Sequence, residues 1–177
     1  MYVYCLFCEA GKSRYVTREA EARFGCVTVS PRQIQHTWSR GKMRDFEREL
    51  LPGYVFLYFQ DEKADPIRLK AMQGVIRCLW DSAQVPELRG QDEQFALMLL
   101  ERNGTIGKTQ VWQEDDRLRI CDGVFAGLEA RILKVDRRAS RMQVEIPFAR
   151  QPVKTWLEYE IINRTPAGPA QTTKTQE

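Results

Sequence analysis

An α+β fold in two units is predicted: an N-terminal split β-α-β antiparallel sheet with helices on one face, followed by a small β-barrel. Three observations predict it. Over the first hundred or so residues, β-prone and helix-forming segments follow in the order strand, helix, two strands, helix, strand, with a further helix at the end. Residues 103–116 then mix glycines, polar residues and an acidic run, which reads as a linker. Beyond it lie short alternating strands parted by turn sequences, the pattern of a compact barrel. The boundaries that follow are 1–102 for the first unit, 103–116 for the linker, 117–164 for the barrel and 165–177 for a disordered tail.

Taken in order, Tyr2 to Phe7 is apolar and β-prone, and Lys12 to Phe24 carries good helix formers with Gly25 placed to stop them. Cys26 to Val29 reads as a short strand ending at Ser30-Pro31. Residues 32–49 are dense in charge without a clear period and read as a surface excursion. Asp65-Pro66 is a favourable helix start, with Asp at the cap and Pro in the first turn; that helix is expected to end near Gly74, before a strand from Val75 to Trp80. A last helix spans about Gln91 to Arg102, with Asp92 and Glu93 in its first turn and Asn103-Gly104 as its stop. In the barrel, Leu118 and Ile120, then Ala130 to Val135, then Met142 to Ile146 alternate as strands, with turns at Asp122-Gly123 and at 136–141. A closing strand lies near Thr155 to Leu157 or Tyr159 to Ile162. The Pro, Thr, Gln and Ala composition from Thr165 onward has no apolar anchor.

The most informative stretch is Phe46 to Phe59, a charged approach, a Pro52-Gly53 turn and then an all-apolar strand. In an extended chain Tyr54, Phe56 and Tyr58 share one face and Val55, Leu57 and Phe59 the other. Such a strand is either central and buried on both faces, or it offers an aromatic face to a partner; a sheet with helices on one side leaves that second face open.

Composition bounds the class. The chain has 177 residues, with 43% hydrophobic and 29% charged, ordinary for a soluble protein, and no run of about 18 apolar residues. The N-terminus lacks the basic lead and cleavage pattern of a signal peptide, so a cytoplasmic protein with no membrane partner is expected. Five cysteines in strand-like surroundings suit buried thiols in a reducing compartment. Net charge is +3, but residues 117–164 hold 10 Lys and Arg against 6 Asp and Glu, which points to a polyanionic partner there. A solvated barrel surface would carry the same excess.

Catalysis is disfavoured. Cys5-x-x-Cys8 resembles a redox pair or half a zinc site, yet no second close cysteine pair exists and His36 is the single histidine. A redox cysteine also needs a helix N-terminus, whereas Cys5 falls within a strand. No metal and no cofactor are expected, and His36 reads as a surface residue.

Leu51-Pro-Gly-Tyr-Val-Phe56 resembles the signature of the NusG N-terminal domain, and Gly74-Val-Ile-Arg77 resembles the glycine-led strand that follows it. Leu118 to Val135, continuing through Val144, Phe148, Arg150 and Pro152-Val153, resembles the KOW domain of the same family. Two motifs in the right order and separation are more specific than either alone. Two departures stand out: Ala130 replaces the usual KOW glycine, and the threonine-rich patch of some specialised members is missing from 61–65. The Arg-rich turn at 136–141 resembles the LoaP branch of specialised paralogs, regulators of long operons that act with an RNA element near the start of the transcript.

The resemblance implies a non-enzymatic transcription elongation and antitermination regulator, monomeric, that docks its aromatic face on RNA polymerase. The matching residues are Phe7, Leu51, Tyr54 and Phe56. For the KOW unit, Lys134, Arg137, Arg138 and Arg141 are expected at one hairpin end, with Arg150 and Lys154 brought to the same end by a following loop, a set suited to an RNA hairpin. Non-template DNA, Rho and a ribosomal protein are further partners the family admits. The alternatives are a general NusG-type factor whose KOW domain binds proteins, an RNA-recognition-motif protein, or a ribosome-associated KOW protein. Gly53 to Phe59 partly matches the aromatic strand of the RNA-recognition motif, but Pro52 stands where that motif has a basic residue and Val55 where it has a small one.

Overall fold

The structure is a computed structural model that describes residues 1–79, 87–114, 117–121, 124–126 and 130–162. Its first unit runs β1 (Tyr2–Cys8), α1 (Ser13–Phe24), β2 (Val27–Val29), β3 (Arg32–Ser39), β4 (Lys42–Glu49), β5 (Tyr54–Phe59), α2 (Pro66–Lys70), β6 (Val75–Leu79) and α3 (Gly90–Glu101). There follow β7 (Thr105–Ile106), β8 (Thr109–Glu114), β9 (Arg117–Ile120), β10 (Arg131–Asp136), β11 (Arg141–Phe148) and β12 (Gln151–Ile161). The α+β class read from the sequence is the one observed. The turn at Asp122-Gly123 and the tail from Thr165 lie outside the described residues.

Four strands make an antiparallel sheet in the order β2-β5-β1-β6. The two strands that are apolar at nearly every position, β1 and β5, take the middle, where both faces are covered. Local signals set the ends. Gly25 adopts φ 62° and its N–H donates to the Glu21 carbonyl, closing α1. The Asp65 carboxylate accepts the Ile67 N–H at 2.9 Å and caps α2, which stops at Lys70, short of the expected Gly74. Gly53 sits at φ 83°, and an added Cβ would stand 2.9 Å from the Cys8 carbonyl oxygen, so the Pro-Gly turn has no room for a side chain.

Val16 and Ala20 from α1, Leu69 from α2 and Met72 just after it pack with Tyr4, Leu6, Val55 and Leu57 on one sheet face. The opposite face, expected to be open, is covered. Helix α3 packs there through Phe95, Ala96 and Leu99, with the Tyr58 hydroxyl donating to the Ala96 carbonyl at 2.6 Å. Helices therefore lie on both sides: α1 and α2 on one, α3 on the other.

Residues 32–49 form a β-hairpin whose turn residues Arg40 and Gly41 both have positive φ, as a two-residue hairpin loop requires. No apolar period marked it because most of β4 is exposed. Residues 103–114 also differ from the expected linker: β7 pairs in parallel with β3, and β8 lies between β12 and β9 in a five-stranded sheet of order β10-β11-β12-β8-β9. Val111 on β8 is fully buried in the core shared by α3 and the barrel. The two alternative closing strands are one long strand, β12.

Candidate functional site

Phe7, Leu51, Tyr54 and Phe56 converge on the sheet face opposite α1. The β1–β5 register places Phe7 directly across from Tyr54, and their rings meet edge-on at 5.2 Å between centroids. Arg77 on β6 lies over the other side of the Phe7 ring, its guanidinium 5.4 Å from the centroid. Leu51 is buried at the turn whose carbonyl accepts the Tyr54 N–H at 3.1 Å. Phe56 is fully buried.

The cover over this face comes from α3 and, above it, the barrel. Phe148, at the end of β11, stands 6.0 Å from Tyr54, 5.6 Å from Phe56 and 5.7 Å from Phe95, all centroid to centroid. Phe125 closes on Phe95 at 5.9 Å. Polar contacts rim the aromatics. The Ala149 N–H donates to Asp92 at 3.0 Å, the Thr155 hydroxyl to the Leu50 carbonyl at 2.6 Å, and Arg77 to Gln151 at 2.9 Å. Ala149 and Arg150 form the β11–β12 turn with φ 47° and 63°, a left-handed conformation that favours Gly and Asn. Burial raises the Tyr54 hydroxyl pKa, with Cys5 adding to the shift and Arg77 opposing it.

Sequence reasoning missed Phe95, Phe148, Asp92 and Gln151 as partners of this face. Each is separated from β5 by tens of residues, and no local pattern reports a contact of that range.

The basic residues are not brought together as expected. Arg137 and Arg138 occupy the β10–β11 turn, exposed, with Lys134 and Arg141 on the strands beside it. Arg150 lies in the β11–β12 turn, at the other end of the eight-residue β11, about 25 Å along the strand. Lys154 sits mid-strand, 3.7 Å from Glu145. The physical reason is hairpin geometry: successive turns of a meander fall at opposite ends. Four of the six cations remain at one end. Arg141 there is half-buried, 3.8 Å from Glu158 and 3.5 Å from the Gln35 side chain of the β3–β4 hairpin.

The cysteines do not form a reactive pair. Cys5 and Cys8 belong to the cores on opposite faces of the sheet. Burial pushes Cys8 up to about 12, with Glu49 adding, and Cys78 up to about 11, so their thiols stay protonated near neutral pH. His36 is exposed, its Nδ1 2.7 Å from Asp45.

No family model matches the chain. The transcription termination/antitermination protein NusG of Pasteurella multocida is 22% identical over 149 residues, covering 83% of this chain and 81% of that protein. Among solved structures, one described as "Domain interaction in Thermotoga maritima NusG" aligns with a TM-score of 0.52 at 17% identity, covering 89% of this chain and 93% of that one. The fold is thus shared along nearly its whole length with a NusG, including the barrel. With the Leu51-Pro-Gly-Tyr-Val-Phe56 turn and strand at the centre of the sheet, these likenesses support a NusG-family protein.

Proposed function

We propose that this chain is a transcription elongation and antitermination factor of the specialised NusG type, acting in the cytoplasm. It docks on RNA polymerase through Phe7, Leu51, Tyr54 and Phe56 and binds an RNA hairpin through the barrel turn of Lys134, Arg137, Arg138 and Arg141. The observation that carries the reading is the aromatic face itself. A small sheet has built a desolvated cluster around Tyr54 and Phe56, and the cover on it is a second unit packed against it and α3 through Phe148 and Phe125, with a rim of hydrogen bonds. An aromatic cluster of this kind is what a protein interface uses as its anchor. Docking then requires Phe148 to leave, so the packed barrel lowers the apparent affinity for polymerase by the fraction of chains that are open.

The experiment is a binding titration of the full chain against core RNA polymerase. Phe148→Ala weakens the cover and is expected to tighten binding. Adding Tyr54→Ala in that background is expected to remove about 2 kcal/mol or more of binding free energy. Unchanged affinity in the folded double variant would sink the docking role.

One observation favours a second reading for the barrel. With Arg150 and Lys154 away from the turn, the cationic cluster is smaller than the sequence implied, which suits a KOW domain that serves protein partners such as Rho or a ribosomal protein. Titration of an RNA hairpin against the wild-type chain and an Arg137→Ala, Arg138→Ala variant separates the two. Weaker affinity with a shallower salt dependence supports RNA.

A further inference from the structure

The β3–β4 hairpin segregates charge by the strand period. Along β4, Lys42, Arg44, Phe46 and Arg48 alternate with Met43, Asp45, Glu47 and Glu49, so the two sets lie on opposite faces. On the second face two of the three carboxylates are matched: Glu47 is 3.0 Å from Arg32, and Asp45 is 2.7 Å from His36. On the first face, among the described residues, no carboxylate lies in ion-pair range of Lys42, Arg44 or Arg48. Between these cations stands Phe46, whose surface is 63% exposed. A bare aromatic ring set among unneutralised cations has no role in the core.

We infer that the face made by Lys42, Arg44, Phe46 and Arg48 is a docking surface for single-stranded RNA. Lys42 and Arg44, two residues apart, stand about 7 Å from one another, on the order of one extended nucleotide, and Arg44 and Arg48, four apart, stand about 13 Å from one another, roughly two nucleotides; these cations can follow a phosphate backbone while Phe46, between Arg44 and Arg48, stacks a base. The face is also continuous with the basic barrel turn: Gln35 pairs across the hairpin with Phe46, and its side-chain oxygen lies 3.5 Å from Arg141. That continuity selects RNA as the polyanion, and in this respect the inference rests on the RNA-binding reading of the turn. A strand leaving an RNA hairpin held at Arg137 and Arg138 would run onto the β4 face.

The test is fluorescence anisotropy of the full chain with an unstructured RNA oligonucleotide of roughly 12 nucleotides, within the usual site size, at several salt concentrations. Phe46→Ala is expected to weaken binding about 5-fold or more, because no ring remains to stack a base. Lys42→Ala with Arg44→Ala is expected to lower the salt slope by about 0.7 for each phosphate that is no longer neutralised. Met43→Ala, on the opposite face, is expected to bind as wild type does. All these positions are exposed, and far-UV circular dichroism checks that the variants fold. If only the Arg137, Arg138 variant loses affinity, the hairpin inference is overturned while the reading of the turn stands; unchanged binding in every variant overturns both. Equal or tighter binding of DNA of the same sequence overturns the choice of RNA. Loss of polymerase binding by Phe46→Ala with RNA binding intact overturns it in favour of a protein contact.

Discussion

Tyr54 and Phe56 share one face of one strand, yet the structure separates their roles. Phe56 is fully buried between Phe95 and Phe148, whereas Tyr54 is half-buried at the edge of the same cluster. Truncating Phe56 removes core packing as well as a docking ring. Phe56→Ala is therefore expected to cost about 3–5 kcal/mol of folding stability, and Tyr54→Ala clearly less, as read by urea denaturation. Equal costs would show that the two rings are equally part of the core. The face assignment was legible in the sequence because the period of a strand is two; the difference in burial was not, since it depends on Phe148, more than ninety residues further on.

Elements with strong local signals were legible, and those without were not. Asp65-Pro66, Gly25 and Asn103-Gly104 mark helix ends through caps and left-handed backbone, and all three act as such in the structure. The hairpin at 32–49 and strands β7 and β8 carried no such mark. Their pairing partners, β12 for β8 and β3 for β7, are distant in sequence, so the glycine-rich segment between α3 and the barrel read as a linker. Its strand pairing changes the expectation for proteolysis. Cleavage within 105–114 is expected to be slow, because β8 is bonded on both edges and Val111 is fully buried. Mass spectrometry of a limited trypsin or Glu-C digest checks this; a first cut at Lys108 or Glu114 would mean that β8 opens readily.

At the scale of the whole molecule, one apolar core runs from β1 and β5 through α3 into the barrel, joining Phe56 and Phe95 to Met142, Val144, Phe148 and Leu157. A shared core couples the units energetically. Thermal unfolding of the wild-type chain is expected to be a single transition, and Phe148→Ala combined with Asp92→Ala is expected to split or broaden it as the barrel unfolds independently. Two well-separated transitions already present in the wild type would mean that the packing between the units contributes little.

What the sequence determined by itself was local or periodic: the α+β class, the order of most elements, the face shared by Tyr54, Phe56 and Tyr58, and the basic turn of the barrel. Each follows from steric and hydrogen-bonding rules that act over a few residues. Tertiary structure alone decided that Phe148 covers the aromatic face, that Arg150 stands apart from Arg137 and Arg138, and that Lys42, Arg44 and Phe46 line one exposed face beside Arg141. These depend on which surfaces come together across tens of residues, where burial of apolar area selects the partner and no neighbouring residue carries the signal.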